Sequence, residues 1–336
     1  MEITNKKKIG RDPITLLIVV LIYAVFSVLF YTGALNRQLT NLLVPVSCYI
    51  VLAISLNLVV GLLGELSLGH AGFMAAGLFS GCLLSIKLSS VLPVEVSLPI
   101  AMIFGGVFAA FVGFLVGLPA LRLRGDYLAI VTLACNDIIT SVITNLKVTG
   151  GALGLNTAAI YSKPKTLLPY ATVLVILTVI VTMNLKHSKF GRAIQAIRDN
   201  RIAAEATGVN VTYYKLLVFM LAAFFAGMAG VLYGHNFSLT QAPAFNHNMS
   251  IEILVIVVLG GMGSVRGSIF AAIILKILPE LPMVRKYSDY RMLVYSILLI
   301  VIMIAKSSPK FKEFTDDIKD KIFGIFRKKT VKEEEK

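Results

Sequence analysis

Polar residues are sparse inside the apolar runs of this chain, and the exceptions stand out. Between 128 and 146, Thr132, Asn136, Thr140 and Thr144 recur every four residues, with Asp137, Ser141 and Asn145 in the row beside them. On a helix both rows share one face, and Ile130, Leu133, Ile138, Ile139, Val142 and Ile143 take the remainder. Hydrocarbon offers no hydrogen bonds, so such a stripe must meet water, protein or a polar solute. An unpaired aspartate at membrane depth costs at least about 2.5 kcal/mol. The stripe therefore reads in two ways. Either Thr132, Asn136, Asp137, Thr140 and Thr144 line a translocation path, or the same groups hydrogen-bond between packed helices. His70 and Glu65 flank a Gly-rich break, GELSLGHAGF at 64–73, and Glu252 opens a later apolar run. Each is either a gate or path group or a satisfied polar residue near an interface.

The chemistry that is missing narrows the function. The chain has no G-x-x-x-x-G-K-[ST] loop and no Gly-Lys dipeptide, so any ATP chemistry belongs to a separate subunit. GGMGSVRG at 260–267 is not a dinucleotide fingerprint, because its last glycine lies one residue too far and no strand precedes it. His70, His187, His235 and His247 are too scattered for a metal site by spacing, and no Ser-His-Asp or His-Glu-x-x-His arrangement is present. Cys48, Cys82 and Cys135 lie inside apolar runs and read as packing residues. Neither catalysis nor a cofactor is expected.

The elements that must hold these residues follow from composition. Of 336 residues, 57% are hydrophobic and 15% charged, against about 25% charged in soluble domains. Mean hydropathy is +0.83. This excludes a disordered chain, a disulfide scaffold and an ordinary soluble enzyme, and it implies an all-α polytopic integral membrane protein. A net charge of +14 could suggest nucleic acid, but the basic residues punctuate apolar runs as in cytoplasmic membrane loops. Spans are expected near 14–35, 42–62, 70–86, 93–118, 128–146, 166–185, 214–236, 249–262, 268–284 and 290–306, about ten in all with a range of 8–10. The Gly-rich break at 260–267 leaves the eighth and ninth as one broken pair or two short crossings. The first span is too long for a cleavable signal peptide. With ten crossings and both termini inside, 23 of the 32 Lys and Arg fall on the inner side, the orientation that the positive-inside rule favours. Ten crossings also allow two inverted halves of five. Small residues four apart, Gly77/Gly81, Gly113/Gly117, Gly230/Gly234 and Gly263/Gly267, let helices approach closely, either as static packing or as a moving interface.

The largest polar segment between spans is 186–214. Ile194 and Ile197 with Ala193 and Ala204 make a narrow apolar stripe, while Arg192, Gln195, Arg198, Asp199 and Glu205 cover the rest and Asn200 and Gly208 interrupt it. This predicts one or two short amphipathic helices, lying on anionic lipid or docking on a cytoplasmic partner. The segment GRAIQAIRDNRIAAEATGVNV, with YYKLLVFMLAAFFAGMAGVLYG after it, closely resembles the permease subunits of ABC importers for branched-chain amino acids, LivM type. So do SLNLVVGLLGELSLGHAGF at 55–73, LPALRLRGDYLAIVTLA at 118–134, TGGALGL at 149–155 and LGGMGSVRGSIFAA at 259–272. The resemblance runs over roughly 40–305. It implies that the loop with Arg192, Arg198, Ala204, Glu205, Ala206 and Gly208 couples to an ATPase. It also implies two cytoplasmic ATPase subunits, a second similar permease, an extracytoplasmic binding protein and a place in the bacterial cytoplasmic membrane. The urea permeases of the same family are similar, and an ion-coupled secondary transporter is the rival from another class.

The expected organisation is a cytoplasmic N-terminus at 1–13, a transmembrane permease domain at 14–306 with its coupling loop at 186–214, and a cytoplasmic tail at 307–336. In the tail, Ile318, Ile322, Ile325 and Phe326 recur at helical spacing among Lys319, Lys321, Arg327, Lys328 and Lys329. Such a stretch suits an anionic membrane surface; a solvated tail, or one docked on the ATPase, is the alternative.

Overall fold

The computed structural model describes residues 37–123 and 125–280, together with the single positions Ile297 and Ile300. The chain divides into two units, 1–277 and 278–336. The first is described below; in the second, Leu278–Glu280 forms a single 3-10 turn. Segment 1–13, the expected span at 14–35 and the tail at 307–336 lie outside the described residues, as does the span at 290–306 apart from the two single positions.

Among the described residues of the first unit, the expected apolar runs fold as helices. Helix α1 (Arg37–Asn57) continues through a π-helical turn at Leu58–Leu63. It is followed by α2 (His70–Leu88), α3 (Val94–Ala120), α4 (Asp126–Asn145) and α5 (Pro164–His187). The polar segment folds as α6 (Lys189–Asp199) and α7 (Arg201–Ala206), and then come α8 (Val211–His235), α9 (His247–Gly260) and α10 (Val265–Ile277). Among the described residues six helices, α1 with its π-turn, α2 to α5 and α8, are long and apolar enough to cross a membrane.

Helices α9 and α10 are shorter. At 14 and 13 residues each is about 20 Å long, against a hydrocarbon core of about 30 Å. They fold back on one another. Glu252 near the start of α9 pairs with Lys276 near the end of α10 at 2.7 Å, and at the turn a Cβ on Gly260 or Gly267 would overlap the other residue's backbone.

Helix α1 is the buried axis, wrapped by α5, α8, α9 and α10. Beside it, α2, α3 and α8 pack through glycine. A Cβ on Gly77 would strike the Gly227 backbone, one on Gly230 the Met74 carbonyl, and one on Gly105 the Gly77 carbonyl. The expected pairs thus reach across helices, with Gly105 and Gly227 joining them.

The loops after α4 and α8 meet in a feature that the hydrophobic pattern does not announce. Two short strands, β1 (Leu155–Asn156) and β2 (Leu239–Thr240), pair antiparallel with Leu155 opposite Thr240. Thr157 N donates to Ser238 O at 2.9 Å and Ser162 N to His235 O at 3.0 Å. These backbone groups are satisfied within the protein, as buried ones must be.

Candidate functional site

Helix α2 does not begin at the end of the bundle. After the π-turn, Gly64 takes φ +80°, a conformation that glycine adopts without strain. The chain then returns beside α1 as non-helical backbone over 64–69. His70, the first residue of α2, reaches Ser55 with Nε2 to Oγ at 2.8 Å, eight residues before the end of the π-turn, or about 12 Å of helix. Helix α9 also starts inside the bundle, capped by Asn246, whose side chain accepts from Met249 N.

Two helix N-termini therefore meet the inner row of α4. Leu68 N donates to Thr132 Oγ1 at 3.0 Å and Ala71 N to Ser250 Oγ at 3.0 Å. Asn136 Nδ2 donates to Phe245 O at 3.3 Å, while its Oδ1 accepts from Ser250 Oγ at 3.4 Å. Asn136 lies ten residues into α4, about 15 Å along it and midway between its ends.

The stripe read from the sequence divides here. His70, Thr132, Asn136 and Thr140 are buried and hydrogen-bonded within the chain, Thr140 to Asn136 O at 3.1 Å. Thr144 is half-buried and bonds Thr140 O at 2.7 Å. The outer row faces away from the bundle. Asp137 is half exposed with His247 Nδ1 at 3.7 Å, and Ser141 and Asn145 share an open groove with Ile138, Val142 and Leu146. Inner row and outer row thus have different chemistry: one joins helices, the other offers polar groups to whatever covers this face.

The second half of the site is the junction of α6 and α7 with the bundle. Ser188 caps α6 by accepting from Gly191 N, and Asn200 ends α6 and caps α7 by accepting from Ala203 N. The interruption seen in the sequence is thus a shared cap. Ile194, Ile197 and Ala204 of the predicted stripe are buried and Ala193 is half-buried, while Gly191, outside that stripe, is buried as well. Arg198 lays its stem against Gly64, where a Cβ would clash, and its Nη1 donates to Gly61 O in the π-turn at 3.2 Å. Lys186 Nζ donates to Gly263 O at 3.2 Å. Gly263 N in turn donates to Asn57 Oδ1 at 2.8 Å, and Asn57 Nδ2 to Ser268 Oγ at 3.0 Å. One chain of contacts therefore links α6 to α1 and to the turn between α9 and α10. Lys215, 3% exposed near the start of α8, forms an ion pair with Glu65. Breaking such a buried pair from one side costs about 3–5 kcal/mol.

The remaining residues of the loop face outward. Arg192 is exposed and donates to His187 O, Glu205 is exposed and paired with Arg201 at 2.8 Å, and Ala206 and Gly208 are exposed. Beside them Ile202 is 77% exposed, an apolar side chain on a polar segment. Asn57, Lys186, Lys215, Gly263 and Ser268 did not stand out in the sequence as site residues. Asn57 carried a signal, a lone amide inside an apolar run. Lys186 and Lys215 read as ordinary cations at span ends, where long side chains snorkel outward. Among the described residues no three or more His, Cys, Asp or Glu side chains converge on one point.

Comparison with known proteins bears on what this arrangement serves. The family described as the branched-chain amino acid transport system / permease component matches residues 38–303. The chain is 36% identical to the high-affinity branched-chain amino acid transport system permease protein LivM of Escherichia coli. That match covers 76% of this chain and 66% of the relative, just under two thirds of its length. It is 25% identical to the probable LivM permease of Methanocaldococcus jannaschii over 67% of this chain and 73% of the relative. A shorter match, 28% identical over 37% of this chain and 40% of the relative, reaches the high-affinity branched-chain amino acid transport system permease protein LivH of Escherichia coli. No solved structure matches. With a polytopic helical bundle and a match that runs from α1 past α10, the chain belongs to the family of branched-chain amino acid transport system permease components.

Proposed function

We propose that this chain is a transmembrane permease subunit of an ATP-driven ABC importer that carries branched-chain amino acids across the cytoplasmic membrane. The relatives named above are branched-chain amino acid permeases, which supports that solute class over urea. A second permease, similar to this chain, would cover the outer row of α4. Two cytoplasmic ATPases would dock on α6 and α7, and an extracytoplasmic binding protein would deliver the solute.

The observation that carries the reading is the junction of α6 and α7. One side of this pair is tied by Arg198 to the π-turn of α1. The other side shows Ile202, Glu205, Ala206 and Gly208 to solvent. A segment with one face anchored and one face open suits transmission of movement from a partner into the bundle. The two helix N-termini beside the inner row of α4, that of α2 buried and that of α9 partly exposed, carry partial positive charge that favours anionic groups such as a solute carboxylate. In this reading the path runs past Asp137, Ser141 and Asn145, while His70, Thr132, Asn136, Thr140 and Thr144 hold its wall. Eight to ten crossings with cytoplasmic termini complete the topology, with 186–214 as the cytoplasmic coupling loop and 307–336 as a cytoplasmic amphipathic tail; two halves of five would require the short α9 and α10 each to cross.

The test uses the assembled importer in proteoliposomes. Gly208 has φ +85° and open space around it, so Gly208→Trp projects bulk toward the partner and leaves the bundle intact. Gly208→Trp and Glu205→Arg are each expected to abolish leucine uptake while the permease still folds. Normal uptake and normal substrate-stimulated ATPase activity in both variants would overturn the assignment.

A further inference from the structure

A cavity of about 300 Å³ lies between α5, α6, the π-turn and the start of α10, at the small end of ligand-pocket volumes. Its polar side chains are Asn57, Thr182, Lys186, Gln195 and Arg198. Its apolar lining includes Leu58, Leu62 and Val265. Among the described residues Lys186 has no carboxylate partner, only the Gly263 carbonyl. Thr182 is 4% exposed and its buried hydroxyl has no hydrogen-bond partner. A buried hydroxyl without a partner costs about 1–3 kcal/mol, so something that accepts its hydrogen bond would be favoured there. Thr182 and Lys186 are one turn apart on α5 and so point the same way.

We propose that this cavity binds an aliphatic amino acid of about leucine size on the cytoplasmic side, and that the occupant fastens α6 to the bundle. This deepens the importer reading and rests on it for orientation. The carboxylate would meet Lys186 and Arg198 through charge-assisted hydrogen bonds, with the Thr182 hydroxyl as a further donor. The Gly61 and Gly263 carbonyls each accept one bond from a side chain and keep a second lone pair, which suits an ammonium. The aliphatic side chain would lie on Leu58, Leu62 and Val265. Because Gln195 and Arg198 belong to α6, an occupied cavity opposes movement of the coupling segment. Accumulated solute would then slow further import.

Thr182→Val is the informative variant, because the hydroxyl it removes makes no hydrogen bond within the chain. Labelled leucine binding is measured on the assembled importer in nanodiscs, without binding protein and without ATP. Saturable binding is expected, weakened about fivefold by Thr182→Val and at least about tenfold by Lys186→Gln, with melting temperatures unchanged in Thr182→Val. Isocaproate should compete and inorganic phosphate should not. Unchanged leucine binding in both variants, or displacement by phosphate alone, would overturn the proposal. In proteoliposomes preloaded with leucine, uptake should fall in the native protein and recover in Thr182→Val. Normal uptake into empty vesicles with no inhibition from inside sinks this inference and spares the importer reading. Absent uptake in every preparation sinks the importer reading, and the binding series still decides the cavity.

Discussion

Two regions of the bundle are joined by different forces. Where α2, α3 and α8 meet, backbone lies against backbone at Gly77, Gly105, Gly227 and Gly230. Where α1, α5, α6, α9 and α10 meet, contact is made by Arg198, Lys186 and Asn57 reaching carbonyls, amides and hydroxyls. Close-packed backbones transmit displacement and do not rearrange gradually. Hydrogen bonds between long side chains exchange partners at a net cost of about 1 kcal/mol each. The difference marks the glycine block as the frame and the polar junction as the part that can change state. At that junction α6 is pinned to a π-turn, a local irregularity often found at functional sites.

The comparison breaks most visibly if the frame tolerates bulk. Gly77→Leu would drive four carbons into the Gly227 backbone, and Gly227→Leu would strike Ala109 and the Gly105 carbonyl. Each is expected to cost above about 5 kcal/mol, the range of gross core failure. Fluorescence-detected size exclusion of the detergent-solubilised chain would show loss of the folded peak. Gly208→Ala is the matched control. It has no neighbour within 4 Å of its Cβ, and only its positive φ is penalised, by about 1 kcal/mol.

Glu65 and Lys215 come next, because they link the junction to the frame. Glu65→Gln or Lys215→Met alone strands a buried charge and is expected to lower stability by about 3–5 kcal/mol. The double variant removes both charges and should recover much of that loss. Melting temperatures of the four proteins give the coupling energy directly. Additive losses would mean that the pair is not a unit.

The two regions differed in how much of them could be read beforehand. The spans were legible because apolar runs of this length have one use, and the α6–α7 pair was legible from its narrow stripe around Ile194 and Ile197. The four-residue glycine spacing announced close packing, although not which helix met which. What escaped was tertiary. Asn136 was seen as polar, but its partners at Phe245 and Ser250 lie more than a hundred residues away, and no local pattern encodes that pairing. The start of α9 inside the bundle was equally hidden, since an apolar run does not record the depth at which it begins. Lys215 was hidden by its ordinariness, as a cation before an apolar run normally points to water.

Arg198 separates mechanical from structural roles at the junction. Arg198→Lys keeps the charge but gives up the planar fork that serves Gly61 O and Asp199 together. Stability should fall by only about 1 kcal/mol. Leucine uptake should fall severalfold while ATP hydrolysis persists, so that the ratio of solute moved to ATP consumed drops. A proportional loss of both activities would assign Arg198 to folding alone.

The smallest effect on stability is expected on the outer faces, where α3 and α4 repeat the contrast in another form. Beyond its first turn the exposed side of α3 is apolar, with Ile103, Phe104, Val107, Phe108, Phe111 and Leu115 in sequence. The exposed side of α4 mixes Ile138 and Val142 with Asp137, Ser141 and Asn145. Lipid can cover the first and cannot satisfy the second. Single cysteines at 107, 111, 137, 141 and 145, in a background with Cys48, Cys82 and Cys135 replaced, should change stability by no more than about 0.5 kcal/mol each, as surface substitutions do. A membrane-impermeant thiol reagent applied to the assembled importer should label 141 and 145, label 137 more slowly at greater depth, and leave 107 and 111 unmodified. Transported solute should slow labelling at 137 if the path passes that carboxylate. Labelling confined to the isolated chain would mean that the second permease seals this face dry, and the outer row would then be an interface without a path. Equal protection of α3 and α4 in both preparations would remove the distinction between the two faces altogether.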